Sequence, residues 1–540
     1  MKKQFFFAII CCLFALAACN DFLVETPLSN MSKDEFFKSR ADGFASVNIL
    51  YRKGVMGHMS SGSFIGCTYF YPTVYRAGGL INNVQGGNQN EVLMGVLNIS
   101  ANTDYPDGSR TNAGLWTAPY EVIARNVNFA LENLPDCPEL TDAERDQLMG
   151  EAYFFRALNY FYLVNSFGPV PIVTQSYASL DGIYNRRSSV KLVYQRILDD
   201  LELALKTNLP DLSMPANKFR VTRGSVLALA ADVCLNMAGY PLLDNSKYAE
   251  AAKYAKILIE SSNYELIKHG ASFNPATPST WGQSAYNTLR TSENLNEHLL
   301  VREYDATIAN ASEQPTWCLP WAAVNYTEFK YPVYAETYMP NQILMSLYDP
   351  INDLRFQERQ YFHRSYTFGD GTVWTFDREF PFFWWEETAL KSTARAEKNM
   401  IVYRLAEMYL TAAEALVQAG GTVTSEAAGY LATIQARASL NKTYDQIKTE
   451  LEALPKEKFV EEVLKERIRE LMFEAKLWND IARTRKYPSL NASNEFEYIP
   501  LIGAAPPRNP GTTYTEEKLY FLIPLAAKDR NPMLNEPPLE

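Results

Sequence analysis

Apolar residues recur at helical spacing over several long stretches of the chain. Between Met400 and Gly420, the residues Leu405, Met408, Tyr409, Ala412, Ala413 and Leu416 line one face, and Gly420-Gly421 supply a stop. Gln147 to Phe167 reads as an aromatic-rich helix ended by Gly168-Pro169. Trp116–Leu134, Ser189–Leu209, Thr222–Ala238, Lys247–Ser261 and Phe459–Arg485 follow the same period. The pattern predicts a mostly α-helical protein. Its scaffold spans about 114–262 and 399–486. Two regions break the period: 54–113 is rich in Gly, Asn, Ser and Tyr, while 263–398 mixes loop signals with short β-like runs and holds six of the eight tryptophans. Loops carried on a rigid scaffold are where binding usually sits.

Three helices look alike. "RALNYFYLV" (156–164), "RGSVLALAADVCL" (223–235) and "RLAEMYLTAAEAL" (404–416) each start with Arg and set small Ala residues among larger apolar ones. Small residues let paired helices approach closely, and the arrangement resembles irregular tetratricopeptide-type pairs.

The N-terminus departs from this pattern. Lys2 and Lys3 precede a 14-residue apolar run, Phe5–Ala18. That is shorter than the roughly 20 residues a bilayer span needs and fits the core of a secretory signal. Leu16-Ala17-Ala18-Cys19 resembles a bacterial lipobox, which implies acylation of Cys19 and loss of residues 1–18. Buried acyl chains contribute about 0.8 kcal/mol per CH₂, so a multiply acylated Cys19 anchors stably. Removal of the signal leaves 522 residues and takes the net charge from −11 to −13. Acidic charge without basic clusters argues against nucleic acid as ligand. Cys67, Cys137, Cys234 and Cys318 are widely spaced with no CxxC pair, which predicts buried free thiols rather than a zinc site or disulfide framework.

A sugar presents flat C–H faces and polar edges, so a site for one needs aromatic platforms rimmed by polar side chains. The candidates are Tyr69, Tyr71, Tyr75, Arg76 and Asn82 in the first irregular region, and Trp281, Trp317, Trp321 and Tyr326 in the second. Pro320 and the four-residue spacing predict that Trp317 and Trp321 share a loop. The run Phe382-Phe383-Trp384-Trp385 reads as mainly structural. On a strand, at most half of it faces one side.

Catalytic signals are sparse. A glycoside hydrolase needs two carboxylates opposed across a cleft, and Glu386-Glu387, the most suggestive pair, are adjacent and seldom converge on one bond. Glu466, Glu470 and Glu474 at i, i+4 and i+8 read as a salt-bridged helix face near Arg467 and Arg469. The four histidines form no metal spacing, and "NTDYPDGSR" (102–110) lacks the alternating ligands of a calcium loop. No metal, cofactor or catalytic residue is predicted. The alternatives to a binding protein are a glycoside hydrolase and a peptide-binding tetratricopeptide-type scaffold.

Landmarks along the whole chain resemble the SusD/RagB family of nutrient-uptake lipoproteins. These are "CNDFLVETP" (19–27), "YFYLVNSFGPVPIV" (160–173), "YRLAEMYLTAAEAL" (403–416), "ERIRELMFEAKLWNDIART" (466–484) and "LIPLAAKDRNPMLNEPP" (522–538). Ala475 stands where the family often has Gly, and Leu477 where Arg usually precedes Trp478. The resemblance implies one SusD-like domain over 19–540. It also implies a nutrient ligand, most often an oligosaccharide though peptides are also cargo, and no catalysis. Further implications are an outer-membrane, surface-exposed location and a partner, a SusC-type TonB-dependent barrel over which the lipoprotein sits as a lid.

Overall fold

The computed structural model describes residues 36–57, 112–177, 182–305, 314–330, 339–393, 396–507 and 509–540, with Ser312 and Glu336 as single residues between them. Helix α1 (Arg40–Asn48) starts with a reciprocal Ser39–Asp42 capping box. Helix α2 (Asn112–Glu121) runs through a π-helical turn, Val122–Val127, into α3 (Asn128–Asn133). Helix α4 (Asp142–Phe167) opens on a Thr141–Glu144 capping box and stops at Gly168, whose φ of +71° only glycine adopts freely. It pairs with α5 (Val190–Lys206). In α6 (Arg223–Ala238) every residue after Arg223 is buried, because α5, α7 (Lys247–Ile259) and α10 (Leu405–Gly420) all pack on it. Helix α11 (Ser425–Ala438) packs on α10 and on α12 (Tyr444–Glu452), and α13 (Lys456–Leu471) packs mainly on α10.

The irregular segment 263–398 carries α8 (Ala285–Thr291), strand β1 (His298–Arg302), the hairpin β2 (Phe362–Thr367) and β3 (Val373–Pro381), and the short helix α9 (Glu387–Lys391). Strand β4 (Met400–Arg404) pairs antiparallel with β1, His298 opposite Arg404. This corrects the expectation of one helix from Met400. The run Met-Ile-Val-Tyr is buried on both faces, and a continuous apolar run does not distinguish strand from helix by period. The expected helix 459–485 is likewise two, α13 and α14 (Leu477–Thr484), broken where Ala475 takes a φ of +61°. Glycine is favoured at such a position, so the alanine side chain is held there against its backbone preference. Helices α11 and α12 were not predicted, although Thr424 and a Thr443–Gln446 box cap them. Cys137, Cys234 and Cys318 are buried free thiols; Cys67 lies outside the described residues.

The two halves of the scaffold and the irregular segment meet on buried charge. Glu470 of α13 accepts from Arg404 Nη1 (2.8 Å), Arg437 Nη2 (2.6 Å) and Arg355 Nη1 (2.8 Å), and from the Tyr286 hydroxyl of α8 (3.1 Å). Glu297 bridges Arg404 and Arg437, while Asp353 and Glu466 hold Arg355. Arg467 and Arg483 meet Asp480, with Glu407 and Glu414 as further partners. The expected salt-bridged face is therefore interior. Its principal cations come from β4, α11 and the irregular segment, and Glu474 lies beyond the helix end.

Burial alone would raise the Glu470 carboxyl, but Arg437, Arg404 and Arg355 overcome it and hold the group down to about 2. A carboxyl depressed on folding contributes stability above its unfolded value near 4.5, and that contribution is lost as pH falls toward 2. Removing one partner of a buried ion cluster leaves uncompensated charge, at a cost of about 3–5 kcal/mol. Glu470→Gln is expected to lower the unfolding free energy at pH 7 by that amount. It should also flatten the acid limb of stability between pH 4.5 and 2, as read by urea titration across pH.

Candidate functional site

The irregular segment lines a cavity of about 1130 Å³. Trp281, Phe382 and Trp385 supply its aromatic wall, and Arg290, Arg359 and Lys398 are the cations on it. Trp281 sits half-buried in the 3₁₀ turn Pro278–Gln283, its indole N–H donating to the Pro275 carbonyl at 3.3 Å. The chain then enters α8, capped by Ser284, whose hydroxyl accepts from the Asn287 N–H at 2.9 Å and bonds Gln360. Gln360 in turn donates to the Trp281 carbonyl at 3.2 Å, so turn, helix and the β2 approach are tied together.

Helix α8 aims Arg290 across the cavity. Its guanidinium lies 4.2 Å from the Phe382 ring centroid and donates to the Trp385 carbonyl and the Asn287 side chain, both at 3.0 Å. Lys398 closes the end of the same helix by donating to the Arg290 carbonyl at 2.7 Å. Burial pushes the Lys398 ammonium down to about 8, with Glu293 at 3.9 Å offsetting only part of it. Behind the wall His363 packs against Phe382, Trp385 and Phe376, at 4.8, 4.6 and 4.8 Å, and burial keeps it neutral, pushed down to about 3.

The aromatic run is not divided by strand alternation: β3 ends at Pro381, and a turn closed by the Trp385 N–H donating to the Phe382 carbonyl at 3.0 Å puts the first and last rings on one side and the middle two on the other. Phe382 and Trp385 stack at 5.8 Å and face the cavity; Phe383 stacks on Phe473 at 5.3 Å and Trp384 meets Trp317, both in the main core. All four rings are at most 5% exposed, so the cavity meets the edges of Phe382 and Trp385 rather than open faces.

Of the sequence candidates, Trp281 lies on this cavity. Trp317 does not: it ends a short helix, Gln314–Trp317, and is 1% exposed against Trp384, a core residue and not a platform. Trp321 and Tyr326 pack on the hairpin's own aromatic cluster, Tyr326 against Phe368 and Trp374 at 4.9 and 4.6 Å. The Pro320 turn thus sends the two indoles to different cores instead of one loop face. Cys19, Tyr69, Tyr71, Tyr75, Arg76 and Asn82 lie outside the described residues. Phe382, Trp385, Arg290 and Arg359 were missed. A buried aromatic run looks the same whether or not its edge borders a cavity, and nothing local marks the two arginines.

The two adjacent carboxylates Glu386 and Glu387 are engaged in structure. Glu386 accepts from the Thr388 and Ala389 N–H groups, both at 3.1 Å, as the cap of α9. Glu387 sits 2.7 Å from Lys391, whose hydrogen bond holds its carboxyl below the usual range. A glycosidase general acid needs the opposite shift. Among the described residues no group of three or more His, Cys, Asp or Glu side chains is placed to hold a metal ion.

Two family models match the chain, one described as "Starch-binding associating with outer membrane" over residues 82–235 and one as "SusD family" over 384–538. Together they take in more than half of it. The chain belongs to the SusD/RagB family. A SusD superfamily protein from Parabacteroides distasonis is 27% identical and superposes with a TM-score of 0.76 over 94% of this chain and 99% of its own. SusD-like protein P2 of Formosa agariphila is 24% identical over 524 residues, 93% of this chain and 95% of that one. A surface glycan-binding protein A from Bacteroides thetaiotaomicron, solved with laminarihexaose, shares the fold at 18% identity and a TM-score of 0.65, over 91% and 98% of the two chains. The SusD landmarks read from the sequence have physical roles here: Arg404, Glu407, Glu414 and Asp480 are members of the buried ion clusters, and Gly168 ends α4.

Trp281 and Trp317 are expected to separate on mutation. Trp281→Ala should weaken ligand binding by about 1–3 kcal/mol with the fold intact. Trp317→Ala should cost about 3–5 kcal/mol of stability as a core deletion. Calorimetric titration beside denaturant unfolding checks both.

Proposed function

We propose that this SusD-family chain is a lipid-anchored protein of the outer-membrane surface that captures an oligosaccharide and passes it to a SusC-type TonB-dependent barrel. The observation that carries the reading is the cavity of about 1130 Å³ beside Trp281, large enough for several sugar rings and edged by both aromatic and hydrogen-bonding groups. The family descriptions point the same way, and the lipobox at Cys19 supplies the anchor. No helix among the described residues is long and apolar enough to cross a membrane. The helical half docks on the barrel and the irregular segment faces its mouth. Trp281 holds a sugar face while polar rim groups take hydroxyls, and the glycan leaves unaltered. Glu386 and Glu387 serve as helix cap and ion-pair partner and not as acid and nucleophile.

The purified protein is expected to bind polysaccharide without releasing reducing ends. Release that falls in Glu387→Gln would establish a hydrolase instead. Cys19→Ala is expected to move the protein out of the membrane fraction; continued retention would mean that another feature holds it there.

A further inference from the structure

The cations of the cavity are arranged differently from its carboxylates. Arg290 and Arg359 both lie over the Phe382 ring, 4.2 and 5.9 Å from its centroid. Neither forms an ion pair with a carboxylate among the described residues. Arg290 uses two of its five N–H donors on the Trp385 carbonyl and Asn287, and its Nε is buried without a partner. Arg359 is exposed and reaches the same ring from the turn before β2. The neighbouring carboxylates are committed elsewhere: Glu358 to the Arg364 N–H at 2.9 Å, Glu386 to its helix cap, Glu387 to Lys391, and Glu293 to the Asn399 N–H at 3.1 Å. Exposed Glu397, which also borders a second cavity of about 700 Å³, is the exception.

We propose that the site selects an acidic glycan, with a carboxylate or sulfate ester on the sugar seated against Arg290 and Arg359 over the Phe382 ring. The proposal rests on the capture reading above. A guanidinium withdrawn from water is costly without a counter-charge, and its planar fork matches a carboxylate or sulfate bidentately. Arg359 acts on Arg290 and Arg290 on Lys398, although Glu387 also feels Arg359. Burial pushes Arg290 down to about 10 with Arg359 adding to it, and Arg290 helps depress Lys398. A bound anion relieves both shifts. Because the chain as a whole carries a net charge of −11, its overall field repels acidic glycans, so their binding needs this local pair.

The test is a glycan array probed with the full chain in detergent micelles, carrying uronate and sulfated polysaccharides beside their carboxyl-reduced and desulfated counterparts. The expected result is an acidic glycan bound at least tenfold more tightly than its neutral counterpart, with Arg359→Gln removing that difference while thermal unfolding stays unchanged. Which counterpart loses affinity identifies the anion as carboxylate or sulfate. Equal binding of acidic and neutral forms, or full acidic preference in Arg359→Gln, would overturn the anion assignment and leave capture standing. Binding of no glycan at all would overturn the capture reading and this one with it.

Discussion

Glu470 satisfies three guanidinium groups at once, and the rest of the molecule is arranged around that demand. Arg404 enters from the start of α10, Arg437 from the end of α11 and Arg355 from the irregular segment, so one carboxylate of α13 joins three parts of the chain far apart in sequence. Buried ion clusters are seldom a large net source of stability, because desolvation consumes most of the Coulomb gain. They do penalise any packing that leaves a member unpaired. Helices rich in Ala and Leu can slide over one another at little cost, whereas a helix tied to its neighbours through Arg404 and Glu470 cannot. The Tyr286 hydroxyl extends the same constraint to α8, and through α8 to Arg290 and the cavity.

The helical scaffold was legible because its signals are local. Period and Gly stops located α4 to α7 and most of α10 within about five residues. The misreadings fall where a distant partner decides. Met400–Arg404 is a strand because His298–Arg302 lies beside it, and no window around residue 400 contains that information. The break in 459–485 follows from a left-handed Ala475, a conformation that composition at an Ala does not announce. Glu466, Glu470 and Glu474 read as a salt-bridged helix face near Arg467 and Arg469 because i, i+4 spacing normally means one. Arg469 does pair with Glu466 three residues away, but the guanidinium groups on Glu470 come from 33 to 115 residues away, which is what makes the cluster interior.

The candidate site was legible in kind and less so in its members. Ligand-facing segments were expected in both irregular regions, 54–113 and 263–398; the second lines a cavity with Trp281 on its wall, and the candidates in the first lie outside the described residues. Trp317, Trp321 and Tyr326 differ from Trp281 in which core happened to need them, a property of packing and not of local sequence. Arg290 and Arg359 gave no local sign because their role comes from convergence on Phe382, across a gap of 69 residues in the chain.

Phe382 and Trp385 belong to two environments at once, the hairpin's aromatic cluster and the wall of the cavity. Trimming either ring to admit a bulkier guest would hollow the hairpin that holds it. Diversification within such a scaffold is then channelled away from the wall and toward rim positions such as Arg359, where side-chain exchange leaves the packing untouched. Relatives with different diets would be expected to keep the rings and vary the charge around them.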